Sequence, residues 1–288
     1  MGPGNCRRGR QPQTGAGNAP YLALGGTPCR CTLATVPKVS VIVISLNEAS
    51  NIDDALGSVA WADEIVVVDS GSVDDTLERA RRHTDRVSHH TWTGYGAQKD
   101  HATRLASHDW VLSLDADERV SPELATEIQS VLEQEPPHGG YRIPRMTRYL
   151  GTWIRTTDWY PDYQLRLYDR RKAHWSSDPV HESVHVDGSV GTLTQDIHHH
   201  AYRNLSDHVE TINRYTNLAA GQLRDNGRRA RLLDLLLLPA GAFVRNYLLH
   251  RGCLQGASGL LVSLMNSYYV FLKYAKLREL AGRRSDER

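Results

Sequence analysis

Several short stretches of this chain carry side chains whose types and spacing can do chemistry. Asp115-Ala116-Asp117 closes the apolar run 110–114. Two carboxylates two positions apart at the end of a buried strand can converge on one hard cation and leave coordination positions for a diphosphate. Capping a turn is the plain alternative for such a pair. Asp69 ends a second apolar run, Glu64–Asp69. Its carboxylate can accept from a base N–H or a ribose hydroxyl, and can equally cap the Ser70-Gly71-Ser72 turn. His181-Glu182 offers an imidazole for a metal and a carboxylate for general-base work, against the plainer reading of a polar surface strand. Asp162, in Trp159-Tyr160-Pro161-Asp162, stands beside aromatics suited to stacking on sugar rings, or to an ordinary core corner. His198-His199-His200 does not read as a three-ligand metal site, because successive strand side chains point to opposite faces.

The elements that must position these groups are legible in the pattern. Val39–Ser45 is a continuous β-branched run, the signature of a strand buried on both faces. A helix follows over 50–60, with Ser50 at its N-cap. After the strand Glu64–Asp69 come a helix over 74–82, a short strand at 86–90, a helix over 97–106 and the strand at 110–114. Ser121-Pro122-Glu123 opens another helix, with cap, proline at the first position and an acid in the first turn. Strands alternating with helices imply βαβ units and a parallel sheet, an α/β fold. From Tyr141 to His200 the texture changes to short strands rich in aromatics, Arg and His. Three helices then complete the chain, at Leu205–Asp225, 231–250 and 257–280.

The chain has 288 residues and a formal charge of +1, which excludes the usual strongly basic nucleic-acid binder. Residues 1–37 hold four arginines, no acid, and 7 of the 23 glycines, and read as a disordered basic tail. Four cysteines are too few for a disulfide scaffold, so a cytoplasmic, reduced setting is expected. Ser45-Leu46-Asn47-Glu48 lacks the glycine-rich loop of dinucleotide enzymes, and no P-loop occurs. The stretch Gly252 to Leu272 is uncharged but is broken by Gln255, Gly256, Ser258, Gly259, Ser263, Asn266 and Ser267. Leu235 to Val244 is short and contains Pro239. Neither reads as a membrane span. With Arg228, Arg229, Arg231, Arg245, Arg251, Lys273, Lys276 and Arg278 flanking their apolar faces, these helices suit a bilayer interface, the alternative being simple packing on the rest of the protein.

The segments VSVIVISLNE, EIVVVDSGSVDDT, GYGAQKDHA and DWVLSLDADE together resemble the nucleotide-sugar domain of the inverting glycosyltransferases of family 2. The later segments WYPDYQLRLYDR, PVHESV, HHAYRNLSDH and YYVFLKYAKLREL are similar to the lipopolysaccharide-core subgroup, which adds glucose to inner-core heptose. The resemblance implies a GT-A type, Rossmann-like domain at 38–200, with a mixed, mainly parallel sheet, and a C-terminal helical extension at 201–288. It implies that Asn47, Glu48 and Asp69 hold the nucleoside, that Lys99 lies near the base or phosphates, and that Asp115 lies near the ribose and metal. Asp117 would bind Mg²⁺ or Mn²⁺, with His181 completing the metal site. Glu182 and Asp162 are both eligible as the base that deprotonates the acceptor hydroxyl, and Glu182 is favoured because His181 stands beside it. The implied donor is a nucleotide sugar such as UDP-glucose and the implied acceptor a glycolipid or saccharide, met at the cytoplasmic face of the inner membrane. A nucleotidyltransferase is the nearest alternative enzyme, but SLNEAS is not the Gly-rich basic loop it would carry. A non-catalytic carbohydrate-binding protein would need neither the acidic pair nor the nucleoside aspartate.

Overall fold

The computed structural model describes residues 36–134, 136–176 and 183–286. Its first half follows from the β-branched runs. β1 (Val39–Ser45) is buried at every position and lies parallel to β2 (Glu64–Asp69) on one side. β3 (Val87–His89) extends the sheet beyond β2, and β4 (Trp110–Asp115) lies parallel to β1 on its other side. The crossovers run through α1 (Ile52–Gly57), α2 (Thr76–Ala80) and α3 (Tyr95–Leu105). Alternation along β1 sends Val41 and Val43 into a core with Ile52 and Leu56, and Ile42 and Ile44 into one with Ala102 and Ala106. Both faces are therefore covered, which is why these strands read as continuous apolar runs.

The sheet then changes direction. β5 (Glu118–Val120) and α4 (Pro122–Glu133) follow β4, and Ser121 caps α4 by accepting from the Leu124 N–H at 3.1 Å. β6 (Gly140–Tyr149), β7 (Thr152–Trp153) and β8 (Asp162–Asp169) come next, and β8 joins β4 to β6 by antiparallel pairing on both sides. β9 (Ala173–Trp175) and β10 (Val184–Val186) make a separate two-stranded ladder. β11 (Val190–Thr192) and β12 (Ile197–His199) pair parallel to β6. The ten-stranded path runs β3-β2-β1-β4-β8-β6-β12-β5, with β7 and β11 also against β6. The result is an α/β fold on a mixed sheet, parallel in its N-terminal half.

α5 (Leu205–Asp225), α6 (Asp234–Val244) and α7 (Gly256–Asp286) complete the chain, with α7 packed on both α5 and α6. Two details differ from the sequence reading. Asn51, not Ser50, precedes α1, and its amide donates to Glu48 Oε2 instead of capping the helix. The helix read over 231–250 divides into α6 and a π-helical turn at Arg245–Leu249.

These helices are fastened to the loop between β7 and β8. Asn246, fully buried in the π-turn, accepts from the Asp158 N–H at 3.0 Å. Asp158 in turn accepts from Asn266 at 2.7 Å and from Arg245 at 3.0 Å, and the Thr157 N–H donates to the His250 carbonyl at 2.8 Å. Nearby, Tyr149, Ile154 and Val262 form a small core flanked by Trp159 and Tyr202. His208 of α5 sits against Tyr149, Nδ1 to hydroxyl 3.0 Å. Burial pushes this imidazole down to about 4, so it stays neutral in the folded state near pH 7.

A histidine whose folded pKa lies below its unfolded value contributes stability that is complete above the unfolded value, about 6.5, and is lost as pH falls toward the folded one. The urea midpoint is therefore expected to fall between pH 6.5 and 4. His208→Gln is expected to remove up to about 1.4 kcal/mol per pH unit from that slope, one proton's worth, in denaturation curves at pH 7, 6 and 5.

Candidate active site

The C-terminal ends of β1, β2 and β4 form one edge of the sheet, where open α/β sheets bind ligands. Asp69 is fully buried there. Its Oδ2 accepts from the N–H groups of Gly71 and Ser72 at 2.8 and 2.7 Å, and its Oδ1 accepts from the Ser45 and Ser72 hydroxyls at 2.9 and 2.5 Å. Both oxygens thus shape the turn after β2 and tie it to the end of β1, and Gly71 supplies the positive φ (105°) that the turn needs. Asn47 works in the same stitch. It adopts φ 56°, its side-chain oxygen accepts from the Val73 N–H at 2.9 Å, and its own N–H donates to Ser72 Oγ. The next residue, Glu48, is half-buried. Burial raises its pKa, the Asn51 hydrogen bond opposes that, and the Asp117 charge adds to it.

The two carboxylates of the Asp-x-Asp pair do different things. Asp115 lies between cations, with Lys99 Nζ 2.9 Å from Oδ1 and Arg166 Nη2 2.6 Å from Oδ2. Burial acts to raise its pKa, but Arg166 and then Lys99 outweigh it and hold the carboxyl far below the usual range. Lys99 is itself buried, with its ammonium 5.5 Å from the Trp175 ring centre. Glu118, fully buried, accepts from Arg166 at 2.7 Å, Arg145 at 3.1 Å and the Asp115 N–H at 3.0 Å. Arg145 continues the chain of charges by donating twice to Asp162 Oδ2, at 2.9 and 2.6 Å, while Gln164 donates to Oδ1. Lys99, Asp115, Arg166, Glu118, Arg145 and Asp162 are thus one network.

Asp117 stands outside that network. Its Oδ2 lies 3.3 Å from His199 Nε2, and the other ring nitrogen of His199 lies 3.2 Å from Thr147 Oγ1. Burial raises the Asp117 carboxyl, but the His199 hydrogen bond and charge outweigh it and hold it below its ordinary value. His199 was not singled out in the sequence, whereas its neighbours His198 and His200 share the opposite face, 4.5 and 5.5 Å from the Trp153 ring. The period of two along β12 separates them as the sequence requires. What selects His199 is the pairing of β12 between β5 and β6, which only the fold supplies.

Among the described residues no group of three Asp, Glu, His or Cys side chains encloses a cation. Asp117 and His199 offer one oxygen donor and one nitrogen donor, a partial set whose remaining positions a diphosphate can fill. Asp115 has both oxygens turned to cations, so the two carboxylates of the pair do not converge. His181 and Glu182 lie outside the described residues.

A mixed α/β sheet with an acidic turn at its ligand edge can serve many chemistries, and the comparisons with known proteins narrow them. Residues 40–185 match the model of the family described as Glycosyl transferase family 2. The lipopolysaccharide core biosynthesis glycosyltransferase LpsC of Rhizobium meliloti is 30% identical over 84% of this chain and 93% of its own length. An uncharacterised glycosyltransferase of Rickettsia typhi is 29% identical over 85% of this chain and 88% of its own. Among solved structures, the mannosyltransferase PcManGT of Pyrobaculum calidifontis, in complex with GDP-Man and Mn²⁺, superposes with a TM-score of 0.51. It is 19% identical and covers 85% of this chain and 88% of that one. The chain belongs to glycosyl transferase family 2, and it is a glycosyltransferase.

Removing one partner of a buried ion pair leaves the others uncompensated. Asp115→Asn is therefore expected to destabilise the protein by about 3–5 kcal/mol, read as a lowered urea midpoint. Asp117→Asn, which loses the His199 pairing alone, is expected to lower that midpoint by less than Asp115→Asn does.

Proposed function

We propose that this glycosyltransferase moves a hexose, with UDP-glucose as the donor, onto the inner core of a lipopolysaccharide-type glycolipid, with inversion at the anomeric carbon. The observation that carries the chemistry is Asp117 beside His199 at the ligand edge of the sheet. The acceptor class is supported by the similarity to LpsC, which extends beyond the family domain into the C-terminal helices.

In this reading residues 38–200 form the catalytic domain, and 201–288 carry it to its acceptor at the cytoplasmic face of the inner membrane. The stitched loops at Asn47, Glu48 and Asp69 cradle the nucleoside, with Asp69 acting through the turn it shapes. Lys99 and Arg166 keep Asp115 ionised and fixed at the end of β4. Asp117 and His199 would hold the divalent cation, Mg²⁺ or Mn²⁺. When bound, the cation offsets negative charge building on the departing diphosphate. A carboxylate must take the proton of the acceptor hydroxyl as it attacks the anomeric carbon. Asp162 is held by two N–H groups of Arg145, an arrangement suited to orienting an acceptor. Glu182 is retained as the base. A single displacement needs no covalent glycosyl intermediate.

Asp117→Asn is expected to abolish transfer and Mn²⁺-dependent UDP binding, measured by calorimetry with and without metal. Wild-type metal-dependent affinity in this variant would refute the assignment. Glu182→Gln is expected to keep donor binding and lose about 10²–10⁴ in transfer rate, the usual worth of a general base. Asp162→Asn is expected to act mainly on acceptor KM. Loss of turnover at saturating acceptor in Asp162→Asn, with a mild Glu182→Gln, would reverse the two roles.

A further inference from the structure

No helix among the described residues is long and apolar enough to cross a membrane. Yet α6 and its π-turn leave large apolar side chains in solvent. Leu233, Leu236 and Leu237 are 63, 66 and 65% exposed, and Leu248 and Leu249 are 57 and 72% exposed. Leu233, Leu237, Val244 and Leu248 recur at the spacing of one helical face. The opposite side of the element is occupied, with Pro239, Ala242 and Asn246 buried and the Pro239 carbonyl accepting from Ser267 of α7. Scattered exposed leucines need no explanation, but a continuous ridge of them marks a surface that meets something apolar.

Charge identifies the occupant. Residues 226–278 contain eight basic residues and one acid, Asp234, in a chain whose whole formal charge is only +1. Arg229 and Arg231 are exposed just before the ridge and Arg251 just after it. An apolar ridge with cations at both ends matches acyl chains beneath anionic headgroups. We propose that α6 and the Arg245–Leu249 turn dock on an anionic lipid bilayer, with the leucine ridge inserted and the flanking arginines at the headgroups. It rests on the proposed function only for where the acceptor lies. The same turn, through Asn246 and Arg245, grips Asp158, four residues before Asp162. Docking therefore places the acceptor-side loop at the membrane surface.

The test is co-sedimentation of the full chain with vesicles of phosphatidylglycerol and phosphatidylethanolamine, against phosphatidylcholine alone. Wild-type protein is expected to sediment with the anionic vesicles at low salt and to be released about tenfold at high salt or in alkaline carbonate. Leu233→Ser combined with Leu237→Ser and Leu248→Ser is expected to lose at least tenfold in vesicle affinity while keeping metal-dependent UDP release and its circular dichroism. The arginines of residues 1–37 are common to both proteins, so that difference reports the ridge alone. Wild-type protein left in the supernatant, or a triple variant that sediments like wild type, would overturn the proposal. So would a wild-type dimer that the triple variant dissolves without any vesicle binding, since the ridge would then meet a second copy. Vesicle binding without nucleotide-sugar turnover would instead refute the proposed reaction and leave the docking surface standing.

Discussion

Asp115 flanked by Lys99 and Arg166 is the interaction on which the ligand edge depends. Lys99, Arg166 and Glu118 are buried and Asp115 is partly so, and buried charges are costly unless each is matched. Here the match is made across three strands and a helix. Lys99 comes from α3, Asp115 from β4, Glu118 from β5 and Arg166 from β8. Glu118 binds Arg166 and Arg145 together, so the direction change from parallel to antiparallel sheet is fixed by ionic geometry as well as by backbone pairing. Asp115 is committed to Lys99 and Arg166, whereas Asp117 two residues later faces His199.

The other wall is held by short hydrogen bonds rather than ion pairs. Asp69 accepts four of them, and in doing so converts the ends of β1 and β2 into one rigid ledge. Asn47 and Glu48 are then presented by a loop whose backbone N–H groups are already spoken for by Ser72 and Thr76. Such preorganisation lets a site meet its ligand without reordering its own backbone.

The C-terminal helices follow a different logic. Their contact with the rest of the protein includes polar bonds around Asp158 and Gln255, with a small aromatic core of Tyr149, Trp159, Tyr202 and His208 beside them. Much of the apolar surface of α6 is not used in that contact. The geometry of the β7–β8 loop is therefore set by the helices it touches.

How much of this was readable in advance depends on the range of the physics involved. Buried strands announce themselves locally, because a strand covered on both faces is apolar over most of its length, as Val39–Ser45 and the four central residues of Glu64–Asp69 are. Ser121 with Pro122 likewise marked the start of α4 through interactions confined to one turn. The Asp-x-Asp pair was visible as a chemical possibility for the same reason. What the residues could not reveal is which partner each carboxylate takes. Lys99 and Arg166 reach Asp115 from 16 and 51 positions away in the chain, and His199 reaches Asp117 from 82. His198, His199 and His200 are identical in type and adjacent in sequence. Only the insertion of β12 between β5 and β6 turns one imidazole to the site and two to Trp153. Composition and period set the elements, while strand order, which is a property of the whole chain's packing, decided the chemistry of the edge.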